Sequence, residues 1–342
     1  VSAEGARRVS ERPRLIVDCA GGDHGVVVAV PAALRFAPQV DLILVGDKAA
    51  IARFPLPQTG VRVVHAPENA SMDAGIRKLL RSTSVTAQGR CLSLLQSGAG
   101  DVLVSAADTS ALLILARHEL GALPGIDRPA ITKQLIGKAG SFWMADLGAN
   151  VRCTPQLLVQ FAQMGVVAAR TFSGIERPRV ALLNIGTEAS KGLARLHRAG
   201  EALALLPDAS YVGFVEGSAL FDNQADVIVC EGFVGNVALK AIEGTAGMAR
   251  HLMGEALGSL PVWQRPLLWA LRSALTQLGE RLDTGRYNGA PILGLNHTVI
   301  KSHGAAGVDA FAFALQRGID AISLALPSTL ASGLNIDAGA QH

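Results

Sequence analysis

The chain has 342 residues, 49% hydrophobic, 17% charged and only 4% aromatic, with a net charge of +3 at pH 7. That length supports a large core, as one big α/β unit or two lobes. The mild basicity suits an anionic substrate or an acidic partner and is too weak to imply nucleic acid, and no apolar run approaches the ~18 residues of a spanning helix.

Residues 1–12 are polar, lack the apolar core of a signal peptide, and are expected to be flexible. Leu15-Ile16-Val17 reads as the first strand. The loop Asp18-Cys19-Ala20-Gly21-Gly22-Asp23-His24-Gly25 follows; its glycines let a ligand approach the backbone, and Asp18 and Asp23 place carboxylates at the strand's end. A helix is expected over 26–36, then strands at Leu42-Ile43-Leu44-Val45 and 61–65. Ser71-Met72-Asp73 precedes a basic helical patch of Arg77, Lys78 and Arg81, by default a solvated face.

Further on, Asp101-Val102-Leu103-Val104-Ser105 is a strand, and Ala106-Ala107-Asp108-Thr109-Ser110 turns into an Ala/Leu-rich helix. Residues 123–129 form a rigid polar loop, because Pro124 and Pro129 fix φ and Gly125 relieves the turn. Phe142-Trp143-Met144-Ala145 with Asp146, Gly148 and Asn150 repeats the theme of apolar run, acid, glycine and amide. The run 180–185 followed by Gly186-Thr187-Glu188 repeats it again, and 211–215 is one more strand.

The chain is organised around residues 226–240, DVIVCEGFVGNVALK. Val227, Ile228, Val229 and Cys230 have the profile of a buried parallel strand. Gly232 and Gly235 then permit a tight turn, Asn236 is the expected N-cap, and 237–250 the expected helix. A strand that ends in a glycine turn and opens a helix aims backbone N–H groups at one point, which favours an anion. Glycines here also serve plain turning, and spacing alone leaves both readings open. Residues 237–283 are too long for an ordinary connection. Gly258, Pro261 and Pro266 interrupt them, giving two helical limbs joined by an apolar tip of Leu260, Trp263, Leu267, Leu268 and Trp269. With Arg265 and Arg272 beside it, the tip suits either an interfacial membrane contact or a second subunit. The strand Val299-Ile300-Lys301, with Ser302-His303-Gly304 after it, and a helix over 308–324 close the series. Repeated strand, polar turn and helix means a mostly parallel sheet wrapped by helices, with ligands beyond the strands' carboxyl ends.

No Walker loop, no G-x-S-x-G elbow and no metal-ligand spacing of His or Cys is present, so no metal or other cofactor is expected. Cys19, Cys91, Cys153 and Cys230 are far apart and read as buried free thiols of a reducing cytosol.

Taken together, Gly21-Gly22-Asp23, the 123–130 loop, 146–151, 182–186, 226–240 and 287–304 resemble the bacterial phosphate acyltransferases of the PlsX type. The resemblance spans about 14–318. It implies an αβα sandwich of isocitrate dehydrogenase-like or phosphate acetyltransferase-like fold, with one domain over 13–325, a helical arm over about 237–283 and a flexible tail over 326–342. It further implies a homodimeric cytoplasmic enzyme, peripherally membrane-associated, that moves a fatty acyl group from acyl-acyl-carrier protein to inorganic phosphate for phospholipid synthesis. Acyl-coenzyme A as donor, or a non-catalytic paralogue that binds membrane or carrier protein, are the alternatives.

Departures bear on that choice. The family's Ser-Ala-Gly-Asn-Thr-Gly is Ser105-Ala106-Ala107-Asp108-Thr109-Ser110 here, and Asp108 would repel phosphate if it faced the site. Its Glu-Glu-x-x-Lys-Gly-Asn reads Thr187-Glu188-Ala189-Ser190-Lys191-Gly192-Leu193, and Arg152 replaces an Asp. On the family's reaction, phosphate needs no strong base, and the protein must hold an anion beside an apolar tail. The expected contacts are the backbone at Gly21, Gly22, Gly235 and Asn236, with Lys191, Lys301 and His303 as cations or donors. Asp23 and Asp146 are expected to orient those cations, and Asn150 and Gly186 to complete the substrate-binding set. Arg77, Lys78 and Arg81 would steer the acidic carrier protein.

Overall fold

The computed structural model describes residues 12–72, 75–188, 190–261, 272–281 and 284–334. In chain order, the first elements are β1 (Arg14–Asp18), α1 (Val26–Leu34), β2 (Asp41–Gly46), α2 (Lys48–Ile51) and β3 (Val61–His65). Next come α3 (Ile76–Arg81), α4 (Ala87–Gln96), β4 (Val102–Ser105), α5 (Thr109–Leu120), β5 (Ala130–Gly137) and β6 (Gly140–Ala145). Then follow α6 (Pro155–Ser173), β7 (Arg179–Asn184), α7 (Ala194–Leu203), β8 (Ser210–Glu216), β9 (Val227–Val229) and α8 (Gly232–Gly258). The last are α9 (Arg272–Arg281), β10 (Ala290–Leu293), β11 (Thr298–Lys301), α10 (Val308–Ser323) and α11 (Leu326–Gly333).

Long-range contacts close around two compact units where the sequence reading has one domain over 13–325. The described residues up to Gly121 with His297–Ser323 form the first, and those of Ala122–Asn296 with the described residues from Leu324 the second. The first holds a parallel sheet in the order β3-β2-β1-β4-β11. Leu15, Ile16 and Val17 of β1, and Val102, Leu103 and Val104 of β4, are completely buried, as strands covered on both faces must be. Helix α4 packs on β1 and α5, and α1 on α10.

The second unit has the order β10-β5-β6-β9-β7-β8. Here β5 runs antiparallel to both β10 and β6, while β6, β9, β7 and β8 are parallel. Helix α6 covers β6 and β9, and Thr154 starts it, accepting from the Leu157 N–H. Both units secure the amino ends of neighbouring parallel strands in the same way. Arg14 Nη2 donates to Asp101 Oδ1 at 2.8 Å in the first, and Arg179 Nη2 to Asp226 Oδ1 at 2.9 Å in the second. Each Asp also accepts its arginine's own backbone N–H.

The structure departs from the sequence reading in several places. Strands β5 and β10 form in stretches to which that reading assigns no element. The 326–342 segment begins with a helix, because Leu326 and Leu330 of α11 are buried where it packs on α6. Helix α8 starts at Gly232, five residues before 237, so Gly232 and Gly235 are helical and Asn236 is not the N-cap.

Candidate active site

In the first unit, Asp18 at the tip of β1 is fully buried and organises the glycine loop. Its Oδ1 accepts from the Ala20 and Gly21 N–H groups at 3.1 and 3.0 Å. Its Oδ2 accepts from Ser105 Oγ at 2.6 Å and Gln88 Nε2 at 2.8 Å. Gln88 in turn accepts from the Ala70 N–H, and Asn69 donates to Ala20 O. A Cβ on Gly21 would lie 2.5 Å from Asp18 Oδ2 and 2.7 Å from Ala107 N, so only glycine fits.

The neighbouring Gly22 has φ +80°, and the Asp23 N–H donates to Gly304 O at 2.9 Å. That bond brings the Gly21-Gly22-Asp23 turn beside the tip of β11, where Lys301 and His303 stand. Lys301 Nζ donates to Ser302 O, and His303 Nδ1 accepts from the Ala305 N–H at 3.1 Å, which puts a neutral ring's proton on Nε2. Asp23 does not orient these cations: its exposed carboxylate makes no ion pair among the described residues. Asp108 is turned to a structural task, accepting from the Ala111 N–H at 2.8 Å as the N-cap of α5.

In the second unit, the loop after β6 is built on Asp146, also fully buried. Oδ1 accepts from the Ile131 and Ala149 N–H groups at 3.0 and 3.1 Å. Oδ2 accepts from the Asn150 N–H at 2.6 Å and from Asn150 Nδ2 at 3.0 Å. Burial pushes this carboxyl above the usual range, against the pull of those four donors. Asp146 therefore shapes a loop instead of orienting a cation, since backbone amides occupy both its oxygens. Asn150 is buried with it, donating to Pro129 O and accepting the Gly232 N–H at 2.8 Å.

Helix α8 packs directly on that loop. A Cβ on Gly235 would come within 1.9 Å of Asp146 O, and one on Gly232 within 2.7 Å of Asn150 O. The two glycines thus serve close approach of helix to loop, where the sequence reading has a tight turn. Asn236, one position on, is exposed and neighbours Gly148, which has φ +132°.

At the tip of β7, the buried Asn184 donates to Gly186 O and Lys191 O, both at 3.1 Å, and so folds the 186–192 loop around itself. Lys191 Nζ pairs with Glu188 at 2.8 Å, both half-exposed. Their hydrogen bond raises the lysine's pKa and lowers the glutamate's. Glu231, the N-cap residue of α8, leaves its own helix uncapped. It instead takes a two-point bond from Arg195, Nε to Oε1 and Nη2 to Oε2 at 2.7 Å each, and accepts the Cys153 N–H at 3.1 Å. Burial lifts this carboxyl, but the Arg195 bonds and the Cys153 N–H outweigh it and hold the pKa below the ordinary value.

Between these groups lies a cavity of about 580 Å³ at the carboxyl ends of β7 and β9. Leu183, Leu196, Leu220 and Cys230 line it as buried residues, and Ile185, Leu193, Phe233, Val234 and Val237 as exposed ones. Its volume lies within the ~300–1,000 Å³ of small-molecule sites. Among the described residues, Asn184 and Glu231 are the lining residues with an amide or carboxylate side chain.

Of the predicted residues, Gly21, Gly22, Asp23, Lys301 and His303 gather in the first unit. Asp146, Asn150, Gly186, Lys191, Gly235 and Asn236 gather in the second. Leu260 lies half-buried two residues past the end of α8, while Trp263, Leu267, Leu268 and Trp269 lie outside the described residues. Arg77, Lys78 and Arg81 are exposed on α3. Sequence reasoning misses Asn184, Arg195 and Glu231; the one available signal is that each follows or faces a strand tip.

A mostly parallel α/β sheet with glycine turns and an apolar cavity at its strand tips defines a phosphotransacetylase-like class of fold. The phosphotransacetylase EutD of Staphylococcus aureus superposes with a TM-score of 0.57 at 16% identity, over 92% of this chain and 94% of that one. A phosphotransacetylase from Streptococcus pyogenes matches at 0.57 and 18% identity, over 95% and 94%. Within that class, residues 13–328 match the family described as "Fatty acid synthesis protein", and the chain belongs to this family, the PlsX-type acyltransferases. It is similar to the phosphate acyltransferase of Nitrosococcus oceani, 43% identical over 311 residues, 88% of this chain and 91% of the relative.

Proposed function

We propose that the protein transfers a fatty acyl group from acyl-acyl-carrier protein to inorganic phosphate, giving acyl phosphate for phospholipid synthesis. The observation that carries this reading, within the family, is the apolar cavity at the tips of β7 and β9. An acyl tail entering it gains about 0.8 kcal/mol per buried methylene, so the tail supplies most of the binding and the polar loops need only orient the reacting end. A phosphate oxygen attacks the thioester carbonyl, the C–O bond forms, the C–S bond breaks, and the carrier's thiolate leaves. Phosphate is already an oxyanion near neutral pH, so positioning and oxyanion stabilisation do the chemistry.

Lys301 and His303 in the first unit are the cation and donor beside the Gly21-Gly22 turn. Asn236 and Lys191 serve the second unit, where Lys191 must exchange Glu188 for the substrate anion. The carrier-protein donor, homodimerisation and peripheral membrane contact through the 260–269 tip follow from the family resemblance. Exposed Met248 and Leu252 on α8, and the absence among described residues of a helix long and apolar enough to cross a membrane, are compatible with them.

The test is phosphate-dependent thiol release from a panel of acyl-carrier-protein and acyl-coenzyme A thioesters. Release from acyl-coenzyme A alone would overturn the choice of donor, and no phosphate-dependent release would overturn the activity. Filling the cavity by Leu220→Trp is expected to raise the donor KM. A Trp263→Ser, Trp269→Ser variant is expected to lose co-sedimentation with anionic vesicles; undiminished binding would remove the tip from membrane contact.

A further inference from the structure

We infer that Arg195 and Glu231 form a positioning pair that sets the width of the apolar cavity, and with it the selectivity for acyl chains. The inference rests on that cavity's holding the acyl tail.

Two walls of the cavity come from different elements. Leu193 and Leu196, on either side of Arg195 at the start of α7, supply one. Cys230, Phe233 and Val234, around Glu231 at the start of α8, supply the other. The bond between Arg195 and Glu231 joins them directly. It is a two-point fork at 2.7 Å on each limb, and such a fork fixes both separation and angle, which a single lysine contact does not.

The pair is built for holding instead of helix capping. Glu231 occupies the N-cap position of α8 yet spends its carboxylate on Arg195 and on the Cys153 N–H, which ties the same wall to the segment before α6. Leu193, at the N-cap position of α7, has no side-chain oxygen with which to cap. What fixes the first turn of α7 is therefore the Arg195 fork and the Asn184-held loop that precedes it. Among the described residues, Glu231 is the only charged one lining the cavity, and the fork pairs it with a cation. Without Arg195, an apolar tail would share its site with a carboxylate left only the Cys153 N–H and the field of Arg152.

The experiment measures kcat and KM for donors of graded acyl length, and KM for phosphate, in the wild type, Arg195→Ala, Arg195→Lys, Glu231→Gln and Leu220→Trp. Arg195→Ala is expected to raise the donor KM by on the order of tenfold, the loss of a charge-assisted contact, with kcat nearly kept and the length preference flattened. Arg195→Lys restores the KM only in part. An unchanged length profile in Arg195→Ala overturns the inference, as does a loss confined to phosphate KM or kcat. If Arg195→Ala does not fold, Glu231→Gln, which preserves shape and one hydrogen bond, carries the same criteria. A wild-type donor KM in Leu220→Trp rejects the cavity as the acyl site, whatever Arg195 does.

Discussion

Substituting Gly235 by alanine tests the helix-on-loop packing at the heart of the second unit. The added Cβ would sit 1.9 Å from Asp146 O, 2.8 Å from Cys230 Sγ and 3.0 Å from Asp146 C. A real Cβ keeps at least 3.0 Å from such atoms, so α8 or the 146–150 loop must move by about 1.1 Å, the difference between 3.0 and 1.9 Å. Neither gives easily, because the Asp146 carboxylate holds four N–H groups and Asn150 O holds the Gly232 N–H. Overpacking of this kind costs about 1–3 kcal/mol. A 1 Å misplacement of a positioning element lowers turnover by on the order of 100-fold.

Thiol release gives kcat/KM, and thermal unfolding gives Tm, with a shift of about 2–4 °C per kcal/mol. Gly244→Ala is the matched control in the same helix: nothing lies within 4 Å of its Cβ, so alanine there should stabilise α8 by about 0.5–1 kcal/mol with turnover unchanged. A Gly235→Ala protein with native Tm and native kcat/KM would refute the packing argument.

Asp18→Ala removes the acceptor of the Ser105 hydroxyl and of two backbone N–H groups, and one of the two acceptors of the Gln88 amide; at about 1–3 kcal/mol for each unsatisfied group, urea unfolding should show a loss of at least ~3 kcal/mol. Glu231 and Asp226 have folded pKa values below their ordinary 4.5 and 3.8, so the stability they contribute is complete above those values and is lost as pH falls through the depressed ones. Glu231→Gln should accordingly flatten the fall of Tm with acid below pH 4.5, and an identical acid limb would contradict the pairing with Arg195. All four cysteines are buried, and burial pushes each thiol up, Cys153 to about 12; a disulfide reagent at neutral pH should react with none until denaturant is added. Ready labelling of the native protein would show that a thiol is open to solvent.

The parallel strands are legible in the sequence because a strand buried on both faces must be a short, unbroken apolar run, and Leu15-Ile16-Val17 or Val227-Ile228-Val229 can hardly be anything else. The glycine loops are legible too, since Gly21 and Gly22 sit where backbone must approach backbone. Strand β5 is hidden by its own composition. Lys133 and Gln134 look solvated, yet Lys133 is buried because Glu243, 110 residues later on α8, pairs with it at 3.2 Å. The start of α8 is misplaced for a similar reason: a glycine that turns a chain and a glycine that admits a neighbouring loop are the same letter, and only the position of Asp146 O distinguishes them.

Local sequence therefore determined the parallel strands, the turns at their tips and, through its motifs, the family. Tertiary structure decided which polar groups build the site and which merely support it. Asp146 and Asp108 spend their carboxylates on backbone N–H groups, and Arg195 reaches Glu231 across 36 residues of chain. Hydrogen-bond partners are chosen by distance in space, and spacing along the chain carries no record of that distance.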